Sequence, residues 1–168
     1  MKSVRTLVHG ATVRVAFVAT SLSLPSVAMA DDNKLLGVWK LKSFIIESVQ
    51  TKERRPFYGD NPKGYLVVTP ERFTAIITGE GRRPPENDED RLFSFRTMFA
   101  YTGPYRIEGD RLTTKVDVAW NESWTGTDQT RIYRLEGDKL FIEGAAANSV
   151  NDPSMGVTRG ILEWERSK

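Results

Sequence analysis

The chain has no cysteine, and its one histidine, His9, lies among the first thirty residues. Beyond His9, therefore, neither a Ser-His-Asp nor a Cys-His mechanism can be assembled, and imidazole or thiolate metal sites are excluded. Any chemistry must use Asp, Glu, Tyr, Lys, Ser or Thr. Without disulfides the fold must rest on its hydrophobic core alone. Long apolar runs are scarce as well. The run from Val15 to Leu24 is about half the roughly 20 residues that a spanning helix requires, and Thr20, Ser21 and Ser23 interrupt it. No other stretch suggests a membrane span.

That run belongs to a different pattern. Lys2, Arg5 and Arg14 come first, then the apolar stretch, then Pro25 and small residues ending in Ala28-Met29-Ala30. This is the order of a secretory signal peptide over residues 1–30, with cleavage after Ala30 and a mature domain over 31–168, in the periplasm or secreted. No Cys follows the site, which argues against a lipid anchor. The segment holds three basic residues and no acidic one. Its removal turns the formal charge of +2 into 21 basic against 22 acidic residues, net −1. Nucleic-acid binding thus has no electrostatic support. The remaining 138 residues suffice for one domain that buries roughly two thirds of its unfolded surface.

Alternating and β-branched runs dominate that domain. Gly37 to Val49 reads as a long strand with Trp39, Leu41, Ser43 and Ile45 on one face and Lys40, Lys42, Phe44 and Ile46 on the other. Gly64 to Thr69 and Arg72 to Thr78 form a hairpin at Pro70-Glu71, since Pro presets the dihedral of a tight turn. Two near-copies, Arg106-Ile-Glu-Gly-Asp-Arg-Leu112 and Arg134-Leu-Glu-Gly-Asp-Lys-Leu140, place Gly-Asp between alternating runs and predict two more hairpins. Their strands run about Gly103 to Glu108, Arg111 to Trp120, Thr127 to Glu136 and Lys139 to Glu143, and a last strand covers Arg159 to Arg166. Between the third and fourth strands, Asn87-Asp-Glu-Asp90 suits a helix N-terminus, and Leu92, Phe95 and Phe99 recur at helical spacing. One short helix is expected, about Glu89 to Ala100, after a polar Gly- and Pro-rich loop over 79–85. The result is an all-β, eight-stranded up-and-down antiparallel barrel with one short helix. Eight strands leave an interior that side chains fill or that holds one small ligand. A two-sheet sandwich is the alternative.

Gly37-Val-Trp39 is the G-x-W element of lipocalins. Further matches lie in Gly37-Val-Trp-Lys-Leu, Gly64-Tyr-Leu before Thr69-Pro, Tyr101-Thr-Gly-Pro-Tyr105, Trp124-Thr-Gly-Thr-Asp-Gln-Thr-Arg131, the Glu-Gly-Asp hairpin, and Leu162-Glu-Trp-Glu-Arg166. From Leu36 to Arg166 the chain resembles the lipocalin-like domain family of bacteria and fungi. The resemblance implies a small barrel with an interior cavity and, as in lipocalins, a small apolar ligand. It also implies that an arginine of the last strand lies over the tryptophan of the first. The family often carries histidine on the fifth strand where this chain has Thr114-Lys115, which removes an acid-base residue.

Trp39 and Arg166 then form either a cavity floor or a latch that closes the barrel, with Leu162, Trp164 and Arg166 on one face. Gln129, Arg131, Tyr133 and Leu135 share one face of the sixth strand. Leu112, Thr114, Val116, Val118 and Trp120 share one face of the fifth. If both point inward, Arg131 needs a partner, because an unpaired buried charge costs several kcal/mol. Either it anchors a ligand's carboxylate or enolate oxygen, or it is ion-paired internally or turned outward. Tyr65, Phe73, Phe99, Tyr101, Tyr105, Trp120, Gln129, Arg131 and Tyr133 are the candidate ligand-binding residues. Phe93, Phe95, Met98 and Phe99 form either a lid or a plug at one mouth. Glu86, Asp88, Glu89 and Asp90 lack the Gly and distant Glu of an EF-hand loop, so helix capping is the better account than calcium.

The expected function is binding of a small, mostly apolar and possibly acidic molecule, with no cofactor. The alternative is a cofactor-free isomerase or cyclase acting on a small apolar carbonyl compound, with Tyr101, Tyr105 or Arg131 polarising the carbonyl. An interaction module would need Phe44 and Ile46 exposed.

Overall fold

Alternation starting at Gly37 carries the backbone into β1 (Gly37–Ser48) in the computed structural model, which describes residues 34–149 and 152–168. The signal-peptide reading and the start at Asp31 lie outside the described residues. Trp39 and Leu41 point inward as expected. The pairing of β1 with β12 (Val157–Arg166) then slips between Leu41 and Ser43, a β-bulge that sets Phe44 opposite Leu162. One extra residue reverses which side all later residues face. Phe44 therefore packs on the core and Ile46 is buried, so the parity expected beyond Leu41 is corrected. The exposed pair that an interaction module would need does not form.

The hairpin at Pro70 joins β3 (Lys63–Val68) to β4 (Phe73–Thr78), and Thr69 closes it: its N–H donates to the Arg72 carbonyl at 2.9 Å. A three-residue strand, β2 (Arg54–Pro56), pairs with the far end of β1. After β4 comes the helix α1 (Asp88–Arg96), capped by the Asn87 side chain, which accepts from the Asp90 N–H at 2.9 Å. Asp90 itself binds Arg83 and the Glu86 N–H.

The helix stops at Arg96, four residues short of the expected end, and Met98–Gly103 is instead strand β5, paired along its length with β4. Phe99 satisfies two periods at once. It continues the 3.6-residue spacing of Leu92 and Phe95, and it alternates with Tyr101 and Gly103. The bare edge of β4 settles the matter, since six residues of unpaired backbone would otherwise face solvent or core without partners.

The remaining strands are β6 (Tyr105–Glu108), β7 (Arg111–Lys115), β8 (Val118–Ala119), β9 (Asp128–Glu136), β10 (Lys139–Gly144) and β11 (Ala147–Asn148). Both Gly-Asp turns form, with Gly109 at φ 64° and Gly137 at φ 60°, the left-handed region open to glycine. Among the described residues all pairings are antiparallel and in one sheet, so the sandwich alternative fails. Ten segments follow one path, β6-β7-β9-β10-β12-β1-β3-β4-β5-β8, with β2 and β11 paired beside it.

Among the described residues twelve segments replace the eight expected: β5 takes the place of the last helical turn, the strand expected over 111–120 is broken into β7 and β8, and β2 and β11 are added. Pro104, which has no N–H to donate, separates β5 from β6. Its carbonyl still accepts from the Lys115 N–H at 2.9 Å. Val116 and Asp117 separate β7 from β8. Here Val116 pairs with the β8–β9 connection, and the Asp117 N–H donates to Thr102 at 3.1 Å. Gly103 is required at this crossing, because a Cβ there would overlap the Lys115 carbonyl.

The sheet curls strongly around one core. Trp39, Trp164, Phe73, Leu66, Ile77, Leu112 and Leu140 are fully buried, each contributing on the order of 1.5–3 kcal/mol of transfer free energy. At one end Trp39 and Arg166 pair across β1 and β12, and the guanidinium carbon lies 4.1 Å from the indole centroid. Arg166 Nη1 donates to the Leu36 carbonyl at 2.8 Å and Nη2 to the Lys34 carbonyl at 2.6 Å, while Trp39 Nε1 donates to Leu35 at 2.9 Å. The latch thus ties the chain entering β1 across this end.

Candidate functional site

The inward positions of β5, β7 and β9 meet in the barrel interior. On β9, alternation turns Gln129, Arg131, Tyr133 and Leu135 inward and leaves Asp128, Ile132, Arg134 and Glu136 exposed. On β7, Leu112 pairs with Arg131 and Thr114 with Gln129. Leu112 and Thr114 are both fully buried, and Thr113 is buried too, its hydroxyl 2.9 Å from that of Thr130. On β5, Tyr101 is buried and Phe99 half-buried.

Arg131 is half-buried and has no carboxylate partner among the described residues. The nearby acids are taken: Asp117 pairs with Arg72, and Asp128 with Arg106 at 3.3 Å. Arg131 Nη2 donates to Gln129 Oε1 at 3.1 Å and Nη1 to the Thr130 carbonyl at 2.9 Å. Gln129 is fixed in turn by donating from Nε2 to Thr127 Oγ1 at 2.9 Å.

Beside it, burial pushes the Tyr101 hydroxyl above its ordinary pKa, and the Arg131 charge and Thr114 only partly offset that. Tyr101 is consequently a protonated donor at neutral pH. Thr114 Oγ1 faces that hydroxyl but makes no well-formed hydrogen bond with it or with any other described group. Arg131, Tyr101 and Thr114 together present donors suited to an oxygen anion. The cluster offers no base.

Aromatic rings surround this polar cluster. Phe73 lies 5.7 Å from Tyr101, Phe99 5.3 Å from Tyr101, and Trp120 5.6 Å from Phe99 between ring centroids. The residue missing from the expected lining is Trp124. A 3-10 turn over Glu122–Trp124, capped by Asn121, folds it inward. There it stands 5.3 Å from Phe99, 5.6 Å from Tyr101 and 5.2 Å from Trp120, with the Arg131 guanidinium 5.7 Å from its centroid. A tryptophan inside an otherwise polar turn was the available signal. Tyr58, also missed, donates to the Met98 carbonyl at 3.0 Å near Phe44, and burial pushes its pKa up to about 12.

Of the nine candidates, Phe73, Phe99, Tyr101, Trp120, Gln129, Arg131 and Tyr133 face or border the interior. Tyr105 packs on the core and donates to the Thr69 carbonyl at 3.0 Å, toward the latched end. Tyr65 is a correction. It lies on the outer face, 48% exposed, because Leu66 and Val68 take the inward positions of β3, with Leu66 opposite Trp39. Val118 is another, 62% exposed beyond the break in the β7–β8 strand. The helix neither plugs nor seals the mouth: it has no buried residue, and Leu92, Phe93 and Phe95 are about half exposed. Only Phe95 reaches the aromatic group, 6.3 Å from Trp120.

A separate open cleft of about 720 Å³ lies at the latched end, between the Gly109-Asp110 and Gly137-Asp138 turns, and shares only Tyr133 with the nine candidates.

A point mutant of the fluorescent protein UnaG is among the solved structures similar to this chain. It is 14% identical, with 81% of this chain and 98% of that chain covered and a TM-score of 0.37. No curated protein matches in sequence. A family model described as a lipocalin-like domain matches residues 36–167. That span runs from the residue before β1 to the residue after β12 and takes in the latch, both Gly-Asp hairpins and the interior cluster, so the chain belongs to the lipocalin-like domain family.

Proposed function

We propose that this is an exported binding protein, periplasmic or secreted, that takes a small, mostly apolar molecule with an acidic group into the interior of an eight-stranded barrel. Closure is supported by the pairings: with β5 and β6 counted as one broken strand and β7 and β8 as another, the path from β6 to β8 returns on itself. Export is supported by the basic, apolar and small-residue order ending at Ala28-Met29-Ala30.

The observation that carries the ligand reading is Arg131, a cation turned toward aromatic side chains with no internal acid among the described residues. A half-buried charge with no acid beside it is only partly compensated by its hydrogen bonds to Gln129 and Thr130, and a ligand carboxylate between Arg131 and the Tyr101 hydroxyl would complete it through charge-assisted hydrogen bonds. The apolar body of such a ligand lies against Phe73, Phe99, Trp120 and Trp124.

Decanoic acid tests this by titration calorimetry. The wild-type protein should bind it, and Arg131→Met should keep the fold while weakening binding by about 1.5–3 kcal/mol, the value of a hydrogen bond to a charged group. Equal affinity in the two proteins would leave Arg131 a structural residue.

A further inference from the structure

Two buried polar atoms make no well-formed hydrogen bond among the described residues, Thr114 Oγ1 on β7, which faces the Tyr101 hydroxyl, and Trp164 Nε1 on β12. Their residues are 0% and 1% exposed, so bulk water does not reach them. A buried polar group left unpaired loses what water would have given it. Valine or phenylalanine would fill the same space without that loss. The two atoms belong to one core but to strands separated in the sheet by β9 and β10. They therefore mark two positions around the interior. Thr114 lies with Gln129, Arg131 and Tyr101, whereas Trp164 sits between Leu41 and Leu140, with one pairing between it and the Trp39–Arg166 latch and β10 between its strand and that of Arg131.

We propose that the ligand is an oxygenated apolar acid, an oxo acid or hydroxy acid, whose acidic group meets Arg131, Tyr101 and Thr114 and whose second, neutral oxygen accepts from Trp164 Nε1. An indole N–H only donates, so its partner must be an acceptor. A neutral acceptor suffices there, and a second charge would carry a desolvation cost of its own. The proposal rests on the binding reading above and adds the chemical class of its ligand.

Titration calorimetry with decanoic acid and a set of oxodecanoic acids, each with one ketone at a successive chain position, tests it. At least one oxo acid should bind the wild-type protein about tenfold tighter than decanoic acid, the upper range for a neutral buried hydrogen bond. Trp164→Phe should abolish that preference while leaving decanoic acid within about twofold of its wild-type affinity. Thr114→Val should weaken both acids alike. Should Trp164→Phe not fold, the wild-type protein gives the same answer by NMR: the Trp164 indole proton moves downfield on adding the preferred oxo acid and not on adding decanoic acid. If every oxo acid binds only as well as decanoic acid, the second oxygen is refuted while the Arg131 reading stands. If no acid binds at all, both fall.

Discussion

Replacing Arg166 with Met keeps a chain of similar length over Trp39 but removes the charge and both donors. The guanidinium 4.1 Å from the indole centroid is worth about 0.5–2 kcal/mol at a partly desolvated site. Its hydrogen bonds to the Leu36 and Lys34 carbonyls add about 0.5–1.5 kcal/mol each, the second less because water replaces it at an exposed position. With one third of the side chain exposed, the sum expected for Arg166→Met is about 2–3 kcal/mol. For a domain of this size that lowers the melting temperature by roughly 8–12 °C. Urea unfolding followed by tryptophan fluorescence measures it, with unchanged m-value as the check that only stability moved. Arg166→Lys keeps the cation without the fork and should lose about half as much. A loss below about 0.5 kcal/mol in Arg166→Met would refute the latch, leaving Arg166 an ordinary surface residue.

Gly103→Ala should prevent folding or cost about 3 kcal/mol, the upper end for overpacking, because backbone and not a yielding side chain occupies the space. Circular dichroism of the purified variant checks it. Glu47 is buried between Arg159 and Arg54, whose hydrogen bonds hold its carboxyl below the usual range. A depressed folded pKa means the stabilisation is present above the unfolded value and lost as pH falls through the folded one. The stability gap between wild type and Glu47→Gln should therefore be open at neutral pH and close on acidification below the ordinary carboxylate range, a pattern read by denaturation at each pH. Ultraviolet titration should show Tyr58 ionising near pH 12, a component removed in Tyr58→Phe, while Tyr101, which burial also raises, remains. Because the Tyr58 pKa is raised, the contribution of the neutral phenol is complete below the ordinary tyrosine value and fades as pH rises above it.

Turns and latch were legible because each depends on a few residues with narrow roles. Pro70, Gly109 and Gly137 fix turn dihedrals locally, and the pairing of Trp39 with Arg166 follows from a motif at each end of the domain. What escaped depends on partners distant in sequence. The bulge after Leu41 is a property of the β1–β12 pair, so alternation alone set Phe44 and Ile46 on the face opposite Trp39. Tyr65 and Leu66 are both apolar neighbours, and only the pairing of Leu66 with Trp39 decides which turns inward. Residues 98–100 fit helix and strand equally until the edge of β4 claims them. Alternation sets Arg131 on one face with Gln129, Tyr133 and Leu135, yet the ring above it, Trp124, sits on a turn whose inward fold no periodicity encodes.

The most direct measurement is native mass spectrometry of the protein purified from the envelope of its own cells. The polypeptide should begin at or within a residue or two of Asp31 and carry one noncovalently bound acidic, apolar molecule that is absent from Arg131→Met isolated in the same way. The same bound molecule retained in full by Arg131→Met, or a wild-type chain that still begins at Met1 with nothing bound, would contradict it.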